Sequence, residues 1–221
     1  MSSQSLVTAV IINFQTPDLT RRAVISFRTH YPTLPLLLID NGSKDESISM
    51  LEEIRQQSPA CTDVILNSHN LHHGPAMDQA LRYLQSPYVL FIDSDCEILK
   101  GGYLESMLNL IQHERKAYAI GKRIYMNKRG FDIAKSDEAI LYIRPIFMLI
   151  NRELYLTLPP FQRHGTPCLE NMRAATEQKL LLIDFPVELY IQHRGRGTAE
   201  RYGYNLGWCS KLQYLLNKLG L

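Results

Sequence analysis

Four consecutive apolar residues, Val89, Leu90, Phe91 and Ile92, run directly into Asp93-Ser94-Asp95 within the segment YVLFIDSDCE. A run this short, rich in β-branched and aromatic types and ended by polar residues, predicts a parallel strand buried on both faces. In open α/β sheets ligands bind in the crevice at the carboxyl ends of the strands, which is where both aspartates then lie. Alternate residues of a pleat point to opposite faces, so the chain has to turn there to bring both carboxylates to one ligand. A hard divalent cation is the natural partner, because neighbouring carboxylates repel and need compensating positive charge. The Asp-x-Asp spacing is common by itself; its place at the end of the most apolar strand candidate gives it weight.

At 221 residues, with 45% hydrophobic and 21% charged residues, the chain is expected to fold as one large domain with a sizeable core. A net charge of +2 gives no sign of a nucleic-acid or membrane specialist. Cys61, Cys96, Cys168 and Cys209 show no paired spacing, which suggests neither a zinc site nor a disulfide framework. Cys96, directly after the strand, is expected to be a small buried residue. No basic region precedes an apolar stretch at the N-terminus, and no run approaches the ~20 residues of a membrane span. A soluble, reducing, cytoplasmic setting is expected.

Strands and helices alternate through the first half. Val7–Asn13 reads as a strand, and Thr16-Pro17-Asp18 as a helix start with a capping hydroxyl, a proline and a first-turn acid. Leu36–Ile39 is a second strand, ending at Asp40; Ser43-Lys44-Asp45-Glu46 matches a capping box, and Ile48, Leu51 and Ile54 continue an apolar stripe. Val64–Leu66 is a third strand, and Gly74-Pro75 opens a helix whose inner face is Ala76, Ala80, Leu81 and Leu84. This alternation predicts right-handed βαβ units and a parallel sheet. Polar residues recur at the strand ends: Asn13, Asp40 with Asn41, Asn67, then Asp93 and Asp95. Each has the chemistry of a helix cap. Asn67 reads best as one, whereas Asp40 reads as a ligand contact because Ser43 already supplies a cap. Converging on one crevice, these residues outline a nucleotide-sized site.

The second half is less regular. Tyr118–Ile124 and Ile140–Ile150 are strand candidates, the latter interrupted by Arg144-Pro145. Gly165–Lys179 contains a helix with Leu169, Met172 and Ala175 inward. Leu180–Phe185 and Val187–Ile191 lead to His193-Arg194-Gly195-Arg196-Gly197-Thr198. Tyr204–Leu221 reads as an amphipathic helix that packs on the core, a peripheral membrane or homodimer contact being the other roles open to it.

Four segments in this order, VIINFQTPDL, LLLIDNGSKDES, NLHHGPAMDQAL and YVLFIDSDCE, resemble glycosyltransferase family 2, the inverting transferases of GT-A fold. The resemblance covers the first hundred residues well and continues only through Glu170-Asn171 and a late histidine in QHRGRGT. It implies an α/β fold, a Rossmann-like, mostly parallel sheet flanked by helices. Residues 1–100 would be the nucleotide-sugar-binding half of a single GT-A domain, and residues 101–221 the acceptor-binding half. It places Phe14 at the nucleotide base, Asp40 on the uracil, Asp93 on the ribose or an outer metal contact, and Asp95 on Mn²⁺ or Mg²⁺. His193 falls where some relatives supply a further metal ligand, and Arg194 and Arg196 where a loop closes over the diphosphate. With Asn13 and Gly74 these complete the expected nucleotide site. The resemblance makes Glu170 the general-base candidate, the other reading being a first-turn acid that stabilises the helix dipole. Asp137 and Glu138 are next in line. His72 and His73 either touch the diphosphate or fill the loop before the helix.

Those residue types suit the chemistry. Cleaving a sugar–diphosphate bond develops negative charge on the leaving group, which a cation and arginines neutralise where water is excluded. The acceptor hydroxyl needs a base, usually a carboxylate in hydrogen-bond reach. The expected function is transfer of a single sugar from a nucleotide diphosphate, UDP above all, to an acceptor hydroxyl of unassigned chemistry; the Q-x-x-R-W motif of polymer synthases is absent. Two other readings stay open: a catalytically silent nucleotide-sugar-binding module, and a haloacid-dehalogenase-type phosphatase. The latter expects Thr or Val where Glu97 stands and its motif on the first strand.

Overall fold

A computed structural model describes residues 6–162 and 165–194. The first half contains β1 (Val7–Asn13), α1 (Pro17–His30), β2 (Leu36–Asp40), α2 (Ser47–Gln57), β3 (Thr62–Leu66), α3 (His73–Tyr83) and β4 (Tyr88–Asp93). There follow β5 (Cys96–Ile98), α4 (Tyr103–His113), β6 (Ala117–Met126), β7 (Ile140–Asn151), α5 (Arg152–Tyr155), α6 (Leu169–Glu177) and β8 (Leu181–Asp184). A single 3-10 turn, Val187–Leu189, precedes β9 (Ile191–His193). The expected helix Tyr204–Leu221 and the loop beyond Arg194 lie outside the described residues.

Seven strands form one sheet in the order β3-β2-β1-β4-β7-β6-β8. Its pairings are parallel except those of β7, which runs against both β4 and β6. Strict alternation along the buried strands explains the layers. Ile11, Leu38 and Leu90 pack with Phe27 of α1, Leu51 of α2 and Met107 of α4, while Val10, Leu37 and Val89 pack with Met77 of α3 and Met172 of α6. Each such side chain, fully buried, contributes about 1.5–3 kcal/mol. Helices on both faces are what make β2 and β4 read as continuous apolar runs.

The capping assignments need correction. Helix α2 begins at Ser47, four residues after Ser43, and its first turn receives the Asp45 carboxylate on the Ser47 N–H at 3.0 Å. The Ser43 hydroxyl is spent elsewhere, accepting from the Gln15 N–H at 2.9 Å and from Asn13 Nδ2 at 3.2 Å. Thr16 likewise makes no helix cap and faces Asn13 and Ser94 instead. Asn67 is no cap either: it exchanges two amide hydrogen bonds with Gln79 of α3, at 3.0 and 2.9 Å. Gly42 is required where it stands. Its φ is +81° and an added Cβ would meet the His69 backbone at 2.3 Å.

The interruption at Arg144-Pro145 is a wide bulge. On β6, Gly121 pairs with Met148 and Arg123 with Ile143, so Lys122 alone spans the four residues 144–147 of β7. On the other side β4 pairs up to Ile92–Phe147. Arg144, Pro145 and Ile146 therefore pair with neither neighbour, beside the end of β4, and Pro145 has no N–H to offer a ladder. Gly121 lets the bulge close, since a Cβ there would lie 2.7 Å from both Ile143 Cγ2 and the Phe147 carbonyl.

Candidate active site

A cleft of about 480 Å³ opens at the carboxyl ends of β1 and β4, a volume suited to a small organic ligand. Its lining includes Phe14, Asn41, His73, Asp93, Asp95 and His193, together with Asp132, Arg144 and Thr166. The chain turns at Ser94-Asp95 as soon as β4 ends. That turn leads into β5, which pairs antiparallel with β9 so that Cys96 stands opposite His193. The Arg194 N–H closes the pair on the Asp95 carbonyl at 3.1 Å. This small second sheet carries His193 Nε2 to 3.2 Å from Asp95 Oδ1, across 97 intervening residues of sequence. Asp93 is approached by His73 from the first turn of α3, Nε2 to Oδ1 3.7 Å.

Asp95, Cys96 and His193 each place a ligating atom within 4.8 Å of the others. Cys96 is wholly buried, its thiol points at the Ile146 carbonyl at 3.5 Å, and burial pushes its ionisation well up. A soft sulfur also matches a hard Mn²⁺- or Mg²⁺-class ion poorly. The usable donors are the Asp95 carboxylate and the His193 imidazole, an oxygen–nitrogen set that suits a Mn²⁺- or Mg²⁺-class ion with further oxygens from water or substrate.

Electrostatics tie these groups together. The hydrogen bond that His193 donates to Asp95 raises the His193 pKa, and burial raises that of Asp93, with the Asp95 charge adding to it. Both groups bind protons more tightly folded than unfolded, so the stability they confer falls as pH rises. For His193 the contribution is full below its unfolded value of about 6.5 and disappears as pH climbs through the raised folded value. The melting temperature of the metal-free protein should therefore fall as pH rises above about 6.5, by a small amount given the exposure of His193. His193→Gln should flatten that slope in a differential scanning fluorimetry series.

Not every expected residue reaches the cleft. Phe14, Asp93, Asp95 and His193 line it. Asn13 and Asp40 are fully buried beneath it: Asn13 Nδ2 donates to Asp40 Oδ1 at 2.9 Å, and Asp40 Oδ2 accepts from the Gly42 and Ser43 N–H groups at 3.1 and 2.8 Å. They brace the β1 and β2 loops. Gly74 is buried at the second position of α3. Glu170 does not line the cleft; its carboxylate is turned to Arg173 at 2.6 Å on an exposed flank of α6, because the inward face of that helix belongs to Leu169, Met172 and Ala175. Asp137 and Glu138 are exposed in the β6–β7 loop and absent from the lining. Arg194 is held by Glu97 at 2.7 Å, and Arg196 lies outside the described residues.

The family model for glycosyl transferase family 2 matches residues 8–172, from the second residue of β1 into α6. The chain belongs to that family. It is a glycosyltransferase by family and has the GT-A fold. An uncharacterized glycosyltransferase of Haemophilus influenzae is 22% identical over 253 residues, covering all of this chain and 77% of its own length. Among solved structures, the mannosyltransferase PcManGT from Pyrobaculum calidifontis, in complex with GDP-Man and Mn²⁺, superposes with a TM-score of 0.65 at 14% identity. The match covers 84% of this chain and 56% of that one. GalNAc-T7 with UDP, GalNAc and Mn²⁺ gives 0.67 at 13%, over 84% and 43%. At such identities the likeness is one of fold.

Within this family member, several cleft residues had no signal of their own in the sequence. Asp132 stands in an unpatterned loop. Arg144 read only as a strand interruption. Asn41 follows Asp40 at the same strand end, yet it is Asn41 that lines the cleft, its Nδ2 bonded to Asn70 Oδ1 at 3.0 Å.

Proposed function

We propose that the chain transfers a single sugar, with inversion, from a nucleotide diphosphate donor, UDP first among them, to an acceptor hydroxyl. The observation that carries this is the Asp95–His193 approach at 3.2 Å in the floor of a nucleotide-sized cleft in a family 2 chain. Asp95 and His193 are the proposed holders of a Mn²⁺ or Mg²⁺ ion, with Asp93 at the ribose or in the ion's outer shell. Such an ion would neutralise charge on the leaving diphosphate. Phe14 and Asn41 are the proposed contacts of the base, while Asn13 and Asp40 hold their loops in place. His73 and the first turn of α3 face the phosphates, where N–H groups and the helix dipole favour an anion. The setting we propose is cytoplasmic, in keeping with cysteines that lack paired spacing. Among the described residues no helix is long and apolar enough to cross a membrane.

Calorimetric titration of the protein with UDP and GDP, with and without Mn²⁺, tests the reading; binding indifferent to the metal would overturn it. A second reading, a donor-binding module without transfer, is favoured by the placement of Glu170 against Arg173. Donor hydrolysis by the wild type, absent in a silent module, discriminates the two, and Glu170→Gln then tests the base. With the carboxylate outside the cleft, slow hydrolysis of the donor sugar should stay within about threefold of wild type. A loss of about a hundredfold or more, the usual worth of a general base, would return that role to Glu170.

A further inference from the structure

The bulge in β7 places an arginine where a regular strand would put none. Arg144 leaves both ladders beside the end of β4 and lines the cleft together with Asp132. Asp132 arrives from the other arm of the same hairpin, held by an isolated bridge to Met126 and by a loop whose Asn127 carbonyl and side chain accept from Gly130, Arg129 and Phe131. The Arg144 guanidinium is ion-paired with the Asp132 carboxylate. The two side chains remain 43% and 53% exposed, so both keep hydrogen-bonding capacity toward the cleft. The bulge is also tied to the Asp95 turn through the Cys96 thiol on the Ile146 carbonyl, and the Arg144 charge reaches His193, whose protonation it opposes.

We propose that Asp132 and Arg144 form the subsite that grips the hydroxyls of the sugar being transferred, and so help to select the donor. This rests on the donor-binding reading above. The chemistry separates a sugar from the other ligand groups. A diphosphate would meet the Asp132 carboxylate at a repulsive distance, whereas the pair together is neutral and presents acceptors beside a fork of donors. A polyol uses both at once, each hydroxyl donating to the carboxylate and accepting from the guanidinium. Position agrees, since the pair lines the same cleft as Asp93, Asp95 and His193, which puts a sugar bonded to an ion-held diphosphate within the lining that the pair shares.

The test compares sugar nucleotides with their bare nucleotides. UDP-glucose, UDP-galactose, UDP-N-acetylglucosamine and GDP-mannose are titrated calorimetrically in Mn²⁺ against UDP and GDP, using wild type, Asp132→Asn, Arg144→Gln and Arg144→Lys. For whichever sugar nucleotide wild type binds most tightly, each variant should raise its Kd about tenfold or more, the worth of a lost charged hydrogen bond. Kd for the bare nucleotide should stay within about twofold, which also certifies the fold of each variant. Arg144→Lys should fail with the others, because one ammonium does not replace a planar fork. Parallel weakening of sugar nucleotide and bare nucleotide would place Arg144 on the phosphates and overturn the proposal, as would unchanged affinity for both. Wild type that binds no nucleotide at all would sink the donor-binding reading itself, a different result from either.

Discussion

Asp95→Ala is expected to abolish Mn²⁺-dependent nucleotide binding, raising the Kd for UDP by about a hundredfold or more and leaving the residual binding indifferent to EDTA. Three observations set the size of the effect. The Asp95 carboxylate is only 11% exposed, sits at the turn that ends β4, and stands 3.2 Å from the imidazole that would share the ion. Removing it leaves the His193 imidazole alone among the proposed direct ligands, with no carboxylate beside it in the inner shell. Asp93→Ala should cost less. Its carboxylate lies nearer to His73, at 3.7 Å, and burial disfavours its charged form. An Asp95→Ala protein that binds UDP as wild type does, with the same response to Mn²⁺, would remove the ion site from this turn.

The turn itself was legible because a short apolar run ending in Asp-Ser-Asp has few other structural meanings. The parallel sheet of the first half followed from strand–helix alternation alone. What escaped was everything that depends on contacts between distant segments. Neither β5, a three-residue strand, nor its pairing with β9 leaves a periodic trace, so only the family resemblance pointed to His193. Helical periodicity identified Leu169, Met172 and Ala175 correctly as the inner face of α6, but it says nothing about which flank looks into the cleft. Glu170 lies one residue round from Leu169, and its partner three residues on, Arg173, takes it to solvent. Helix α4 keeps a clear apolar stripe in Tyr103, Leu104, Met107 and Ile111, all four of them buried.

Asp40 shows why strand-end acids are hard to read, and it supplies the second large effect. Caps, loop braces and ligand contacts all use the same residue types, and Ser43 looked free to serve as a cap. In the fold its hydroxyl is taken by Gln15 and Asn13, and Asp40 becomes the hub of the loop. Its two oxygens accept from Asn13 Nδ2 and from the N–H groups of Gly42 and Ser43, at 2.8–3.1 Å and with no exposure to solvent. Asn13 extends the hub, accepting from the Thr20 hydroxyl at 2.7 Å. Asp40→Ala strands two backbone donors and an amide donor around a cavity, so the protein should lose about 3–5 kcal/mol of stability and melt about 10 °C lower. Asp40→Asn, which keeps the shape and one acceptor, should lose about half as much. Were the role a contact to the base alone, Asp40→Ala would weaken UDP binding while leaving the melt within about 1 °C of wild type, because an exposed ligand contact contributes little to the free protein. Urea unfolding followed by tryptophan-independent far-UV signal, measured without nucleotide, therefore separates a brace from a contact.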